Sequence, residues 1–175
     1  MAANPYFKFK QFTVWHDRCA MKVGTDSVLL GAWCELPPEA IVLDVGAGTG
    51  LLGLMLAQRG AANIDAVELD KNAALQAREN FLNSPWPQKF HMYNQAIQAF
   101  DKPGMYDVII TNPPFFHYSF LPAEGARAQA RHSHSLPMEE LLKAVSQLLQ
   151  VTGLFHIVLP AEQETFFCEK AAKVE

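Results

Sequence analysis

Cysteine is scarce in this chain: Cys19, Cys34 and Cys168 are the only three, far apart, and no C-x-x-C occurs. An odd, scattered set excludes a disulfide framework and a cysteine-based zinc site, and fits reduced thiols in a cytoplasmic protein. No apolar run approaches the roughly 20 residues that span a bilayer, so no membrane partner is expected. The first residues lack the apolar core and small-residue cleavage site of a secretory signal. Excess positive charge is also missing. The net charge of -4 argues against an obligate basic coat for nucleic acid. Internal repeats, low-complexity tracts and long linkers are absent.

What is present is a chain of 175 residues, half of them hydrophobic, enough for one sizeable core. Basic residues gather locally. Lys8, Lys10, Arg18 and Lys22 crowd the N-terminal stretch with Asp17 as the one acid among them, and Arg127, Arg131, His132 and His134 form a second group. His132-x-His134 has no cysteine nearby and only Glu139 and Glu140 after it, so no metal is expected. His16, His91, His117 and His156 stand alone and suit structural or surface roles.

Periodicity sets the expected elements. The Phe7-Lys8-Phe9-Lys10 alternation predicts an early strand or hairpin. "TDSVLLGAWC" predicts a short helix capped by Thr25 or Asp26, and Pro37-Pro38 closes that section. Then strands and helices alternate. "AIVLDVG", "NIDAVELD", "KFHMYN", "YDVIITN" and "LFHIVLP" are the strands. "LLGLMLAQR", "KNAALQARENFL" with Asp70 as its cap, and "PMEELLKAVSQLLQ" with Pro137 near its first position are the helices. In the last of these Leu141, Leu142, Val145, Leu148 and Leu149 form one apolar face. This rhythm predicts an α/β fold, a doubly wound, mostly parallel sheet with right-handed crossovers. Residues 1–36 form a strand or hairpin and helix extension, and 37–175 the main domain.

"VLDVGAGTG" puts Gly46, Gly48 and Gly50 between a strand and a helix. Such a turn lets the backbone approach a ligand at a helix N-terminus. Glu68 ends the next strand, twenty residues beyond Gly48, where a carboxylate can accept both hydroxyls of a ribose. The ligand is therefore expected to contain a nucleoside. A dinucleotide fingerprint needs a small third residue, and counting from Gly46 that position is Leu51. With Asp44 two residues ahead, the pattern instead resembles motif I of class I S-adenosylmethionine-dependent methyltransferases. The resemblance makes Glu68 the motif II acid.

"IITNPPFF" ends an apolar strand on two prolines, which cannot donate ladder hydrogen bonds. In a doubly wound sheet the crevice lies where strand order reverses, between strands one and four, so this turn is expected to face the glycines. An exocyclic amine is a poor nucleophile because its lone pair is delocalised into the ring. The Asn112 side-chain oxygen and the Pro113 carbonyl could accept both of its N–H groups, with prolines fixing the direction in advance. The sulfonium is already activated, so positioning dominates. Phe115 could stack on the base, while Phe116 is assigned to packing. "NPPF" resembles motif IV of amino-methyltransferases, which act on adenine N6, guanine N2 or a glutamine amide.

"FKQFTVWHDRCAMKVGTDSVLLGAW", with "VLDVGAGTGLLGLMLAQR", "DAVELD", "NSPW" and "NPPFF", resembles one subfamily over essentially the whole chain. These are bacterial adenine-N6 methyltransferases of valine tRNA, acting beside the anticodon, and "HDRCAMKVGTD" is the most specific segment. The resemblance implies S-adenosylmethionine as cofactor and tRNA as partner. It implies that Asp44, Gly46, Gly48, Gly50 and Glu68 hold the cofactor, with Lys22, Thr25 and Asp26 lining the pocket beneath the methyl donor. Asn112, Pro113 and Phe115 would hold the base, and Arg127 and Arg131 would contact tRNA phosphates. Two departures stand out. Ala96 in "NQAI" occupies the place of an acid near the cofactor adenine, which Asn94, Gln95 or backbone N–H groups could replace. The family also continues past the helix in which this chain ends, so the fifth strand is expected to be an edge prone to self-association. Other readings are guanine-N2 methylation of ribosomal RNA, glutamine methylation of a release factor, or a non-catalytic RNA-binding protein on the same fold. A nicotinamide-dependent oxidoreductase is disfavoured by Leu51 and the lack of a substrate domain.

Overall fold

The computed structural model of the protein describes residues 4–113 and 136–174. The chain begins with an antiparallel hairpin, β1 (Tyr6–Lys8) and β2 (Thr13–Trp15), where Tyr6 faces Trp15 and Lys8 faces Thr13. Helix α1 (Thr25–Trp33) follows. Its N-cap is Gly24, with no side-chain cap bond, rather than the expected Thr25 or Asp26. The chain is still extended at Gly24 and turns helical at Thr25, so Asp26 falls inside the first turn, where its charge complements the helix dipole.

Five strands then build one sheet: β3 (Ile41–Val45), β4 (Asn63–Glu68), β5 (Phe90–Asn94), β6 (Tyr106–Thr111) and β7 (Leu149–Ile157). Their order is β5-β4-β3-β6-β7 and every pairing is parallel. The central strands read as near-continuous apolar runs because both faces are covered. One face carries Leu43, Val45, Val67 and Ile109 against Leu141, Leu142 and Val145 of α4 (Met138–Leu148). The other carries Val42, Ile64, Val108 and Ile110 against Leu52 and Leu56 of α2 (Leu51–Gln58). Beside them α3 (Lys71–Leu82) stacks Phe81 on Phe90 at 4.1 Å and receives Phe12 and Val14 of the hairpin. Asp70 caps α3 as expected, accepting from the Ala73 N–H. A final helix, α5 (Glu164–Ala171), packs Phe166 and Phe167 on the α4 side.

The end of α4 departs from its periodicity. The apolar pattern runs through Leu149, but the helix stops at Leu148 and Leu149 already pairs with Tyr106. A register shift separates that pair from Val108–Leu154. Gly153 makes the irregularity possible: a Cβ there would sit 2.7 Å from the Leu149 side chain. Among the described residues β7 pairs on one side only, with β6, and no described helix is long and apolar enough to cross a membrane.

Candidate active site

Strand order reverses between β3 and β6, and the chains leaving their C-terminal ends diverge around a cleft of about 610 Å³. That is the size range of a small-molecule site. The Thr111 hydroxyl donates to the Val45 carbonyl at 2.8 Å, locking the end of β6 to the end of β3. The glycine turn and Asn112 are thereby held on opposite lips of the same opening.

On the first lip, Gly46 and Gly48 take positive φ of 67° and 54°. A Cβ on Gly46 would meet nothing within 4 Å, and one on Gly48 only a carbonyl at 3.9 Å, so both glycines face open space. Gly50 differs. Its φ is also positive, yet a Cβ there would strike the Phe81 ring at 2.5 Å, so this glycine serves helix packing. The Gly46 and Ala47 N–H groups donate to Val67 O, and Gly48 N–H donates to Glu68 Oε2 at 2.8 Å. The other oxygen of Glu68 accepts from Asp70 N–H at 2.9 Å. A carboxylate has about four acceptor positions, so about two remain for a ligand.

Asp44 lies under the turn rather than on the cleft wall. It is fully buried, and Oδ2 accepts from Gly53 N–H at 3.0 Å while Oδ1 has no partner among the described residues. Burial pushes its carboxyl up to about 7, aided by the Glu68 charge and opposed by the Gly53 N–H. Lys22 lines the cleft; Thr25 and Asp26 do not, whereas Ser27, one residue further, does. Cys19 also lines it, and burial together with the charges of Glu68, Asp70 and Asp17 pushes its thiol up to about 12, which keeps it protonated and unreactive.

On the second lip, Asn112 and Pro113 line the cleft. The Asn112 Nδ2 donates to Ser27 Oγ at 2.7 Å, and among the described residues its buried Oδ1 has no hydrogen-bond partner. An amide pinned through its nitrogen leaves its oxygen as a fixed, unused acceptor. Ser27 had no sequence signal: it is 85 residues from Asn112 and sits inside an ordinary helical pattern. Phe115, Arg127, Arg131, His132 and His134 lie outside the described residues. Near the missing acid, Gln95, Ala96 and Gln98 line the cleft. Asn94 does not, because its amide donates to Glu68 O and Leu69 O and ties β5 to β4. Among the described residues no group of three or more His, Cys, Asp or Glu could hold a metal ion.

The fold and the cleft are those of a Rossmann-like methyltransferase. The family model for the methyltransferase small domain matches residues 19–167. A protein of Bacteroides thetaiotaomicron named tRNA1(Val) (adenine(37)-N6)-methyltransferase is 51% identical over 162 residues, covering 91% of this chain and 68% of its own. One of the same name from Dyadobacter fermentans is 49% identical over 173 residues, covering 98% of this chain and 72% of its own. The chain belongs to the methyltransferase small-domain family and, within it, to the family of these tRNA enzymes. Among solved structures, Pyrococcus horikoshii TYW2 in complex with MeSAdo superposes with a TM-score of 0.67 at 16% identity, over 95% of this chain and 57% of that one. At that identity the likeness is one of fold.

Proposed function

We propose that the protein transfers a methyl group from S-adenosylmethionine to N6 of the adenine at position 37 of tRNA1(Val), the reaction its relatives are named for. The observation that carries this reading is the Asn112 amide, pinned by Ser27 with its oxygen unpaired among the described residues, on the lip opposite the glycine turn.

The residues present fit a nucleoside cofactor. Gly46 and Gly48 leave open space above the turn, and Glu68 keeps acceptor positions for ribose hydroxyls. When bound, S-adenosylmethionine supplies a methyl group activated by its sulfonium. Gly46, Gly48 and Glu68 would hold it, and Lys22 would form the wall beneath the donor. Asp44 would act from below, keeping the first turn of α2 in place through Gly53. Gln95 and the backbone around Ala96 would take the place of the family's acid.

The chain's own part in the reaction is to bind and orient the adenine. Asn112 Oδ1 and the Pro113 carbonyl would accept from the two N–H groups of N6. This draws the nitrogen toward a pyramidal shape and frees its lone pair for in-line attack on the methyl carbon. The bound cofactor would supply the methyl group and take up the electron pair of its C–S bond, while Asn112 Oδ1 and the Pro113 carbonyl would pass the nitrogen's extra proton to water. Ser27 is the positioning residue: by accepting from Nδ2 it keeps Oδ1 toward the base. Phe115 would stack on the base, and Arg127 and Arg131 would meet phosphates. Self-association through the open side of β7 is the accompanying proposal for oligomeric state.

The test is methyl transfer from labelled cofactor to unmodified tRNA1(Val), with nucleoside mass spectrometry of the product. N6-methyladenosine made by the wild type and lost in Asn112→Ala is the expected result. Product on guanine, or an Asn112→Ala variant as fast as the wild type, would refute it.

A further inference from the structure

The N-terminal hairpin presents a surface that the cleft does not explain. Side chains directly opposite in an antiparallel pair share a face, and successive residues alternate. Phe7 and Val14 therefore share one face, on which Val14 is fully buried and Phe7, nearer the open side of the ribbon, is 48% exposed. Tyr6, Lys8, Thr13 and Trp15 point outward. Tyr6 and Trp15 form a ring pair with centroids 5.0 Å apart, 38% and 41% exposed; exposed Lys8 shares their face, and exposed Lys10 sits in the turn at the end of the ribbon. Large apolar rings in water next to cations are costly to display without a use.

The ribbon is also held rigidly to the cleft. Asn80 accepts from Trp15 N–H at 3.0 Å and donates to Trp15 O at 2.8 Å. The same amide donates to Thr49 O, in the glycine turn, at 2.8 Å. His16 is a second staple: Nε2–H donates to Asn4 O and Nδ1 accepts from Val23 N–H. Three residues past Trp15, Arg18 begins the cleft wall that runs to Lys22. Of the acids near this stretch, Glu79 is paired with Arg18 at 2.8 Å, and Glu68 and Asp70 lie on the cleft side of Cys19, away from the hairpin's lysines.

Resting on the proposed reaction, we infer that the outer face of the β1–β2 hairpin is a docking platform for unpaired nucleotides of the tRNA beside the target adenine. Tyr6 and Trp15 stack on bases while Lys8 and Lys10 meet phosphates. Rings with cations suit a polyanion that exposes π-faces. A paired helix hides those faces, so the platform selects looped RNA. A base drawn into the cleft leaves its neighbours unstacked, and the hairpin supplies new stacking partners at a fixed distance from the glycine turn.

The test uses the full chain with a tRNA1(Val) transcript, its anticodon stem-loop, and a fully paired duplex of equal length. Trp15→Ala is expected to weaken stem-loop binding roughly 5- to 100-fold, with Trp15→Phe recovering most of it. A Lys8→Ala/Lys10→Ala variant is expected to lower the slope of log affinity against log salt by about 2. Both losses fall on the KM for tRNA more than on kcat, with cofactor affinity retained. Both lysines are exposed, so their variant answers even where Trp15→Ala disturbs the hairpin. Unchanged stem-loop affinity and salt slope, as a protein-docking surface would give, overturn the inference. An equal loss on duplex removes the stacking role. If the wild type binds the stem-loop through this hairpin yet makes no N6-methyladenosine, the platform stands and the proposed reaction falls.

Discussion

Replacing Ser27 by alanine removes one atom from the cleft wall, the Oγ that accepts from Asn112 Nδ2 at 2.7 Å. The freed N–H loses a partner in a half-buried place, which costs about 1–3 kcal/mol when no water replaces it. Some of that cost is avoided if the amide rotates, and rotation carries Oδ1 away from the base. Loss of a whole preorganised group in comparable sites slows the chemical step about 100- to 1,000-fold. Losing only its support is milder, so a fall in kcat of about tenfold, or about 1.4 kcal/mol, is expected. Cofactor affinity, read by calorimetry, is expected to change less than kcat. Ser27→Thr keeps a hydroxyl and is expected to recover activity. The strongest readout is the pair: once Asn112 is alanine, removing Ser27 as well should add almost nothing, because the two act as one unit. A Ser27→Ala enzyme with wild-type kcat, or single effects that simply add in the double variant, would refute the pin.

Asp44 provides a test in stability. Its folded carboxyl lies at about 7 against an ordinary 3.8, so between those values the folded protein holds a proton that the unfolded chain has released. Stability contributed by this group is therefore greatest below about pH 4 and declines as pH rises to about 7. Urea unfolding across that range should show a flatter profile in Asp44→Asn, which keeps an acceptor for Gly53 N–H; a wild-type-minus-variant difference that rises with pH overturns the assignment. Gly50→Ala must hold a left-handed residue at φ 78° and push a Cβ into the Phe81 ring. It is expected to lose about 2–5 kcal/mol in the same assay, from the backbone cost together with overpacking, and a near-neutral result would show that α2 and α3 separate easily.

Much of this molecule was written locally. The alternation of β3, α2, β4 and α3 followed from apolar runs broken by glycines, and the Asp70 cap from a carboxylate three residues before its N–H partner. These depend on neighbours along the chain, where spacing alone determines geometry. The glycine turn was visible for the same reason, although its glycines differ in surroundings: a Cβ on Gly46 or Gly48 would meet open space, and one on Gly50 would meet the Phe81 ring. Helix α1 was visible too, but its cap was not: whether Gly24 or Thr25 turns first depends on where the preceding segment is anchored.

What only the tertiary structure decided are contacts between residues distant in sequence. Leu149 satisfies the helical period of α4, yet pairing with Tyr106 across the sheet offers its backbone a partner and ends the helix there. Asp44, expected to hold the cofactor, is buried off the cleft wall because β3 turns that side chain toward Gly53. Ser27 meets Asn112 across 85 residues, and Asn80 joins Trp15 to Thr49. Such side-chain bonds have no period and leave no pattern in one sequence. The order of residues determined which elements form and where the glycine and asparagine turns fall; folding alone determined which polar atoms they meet.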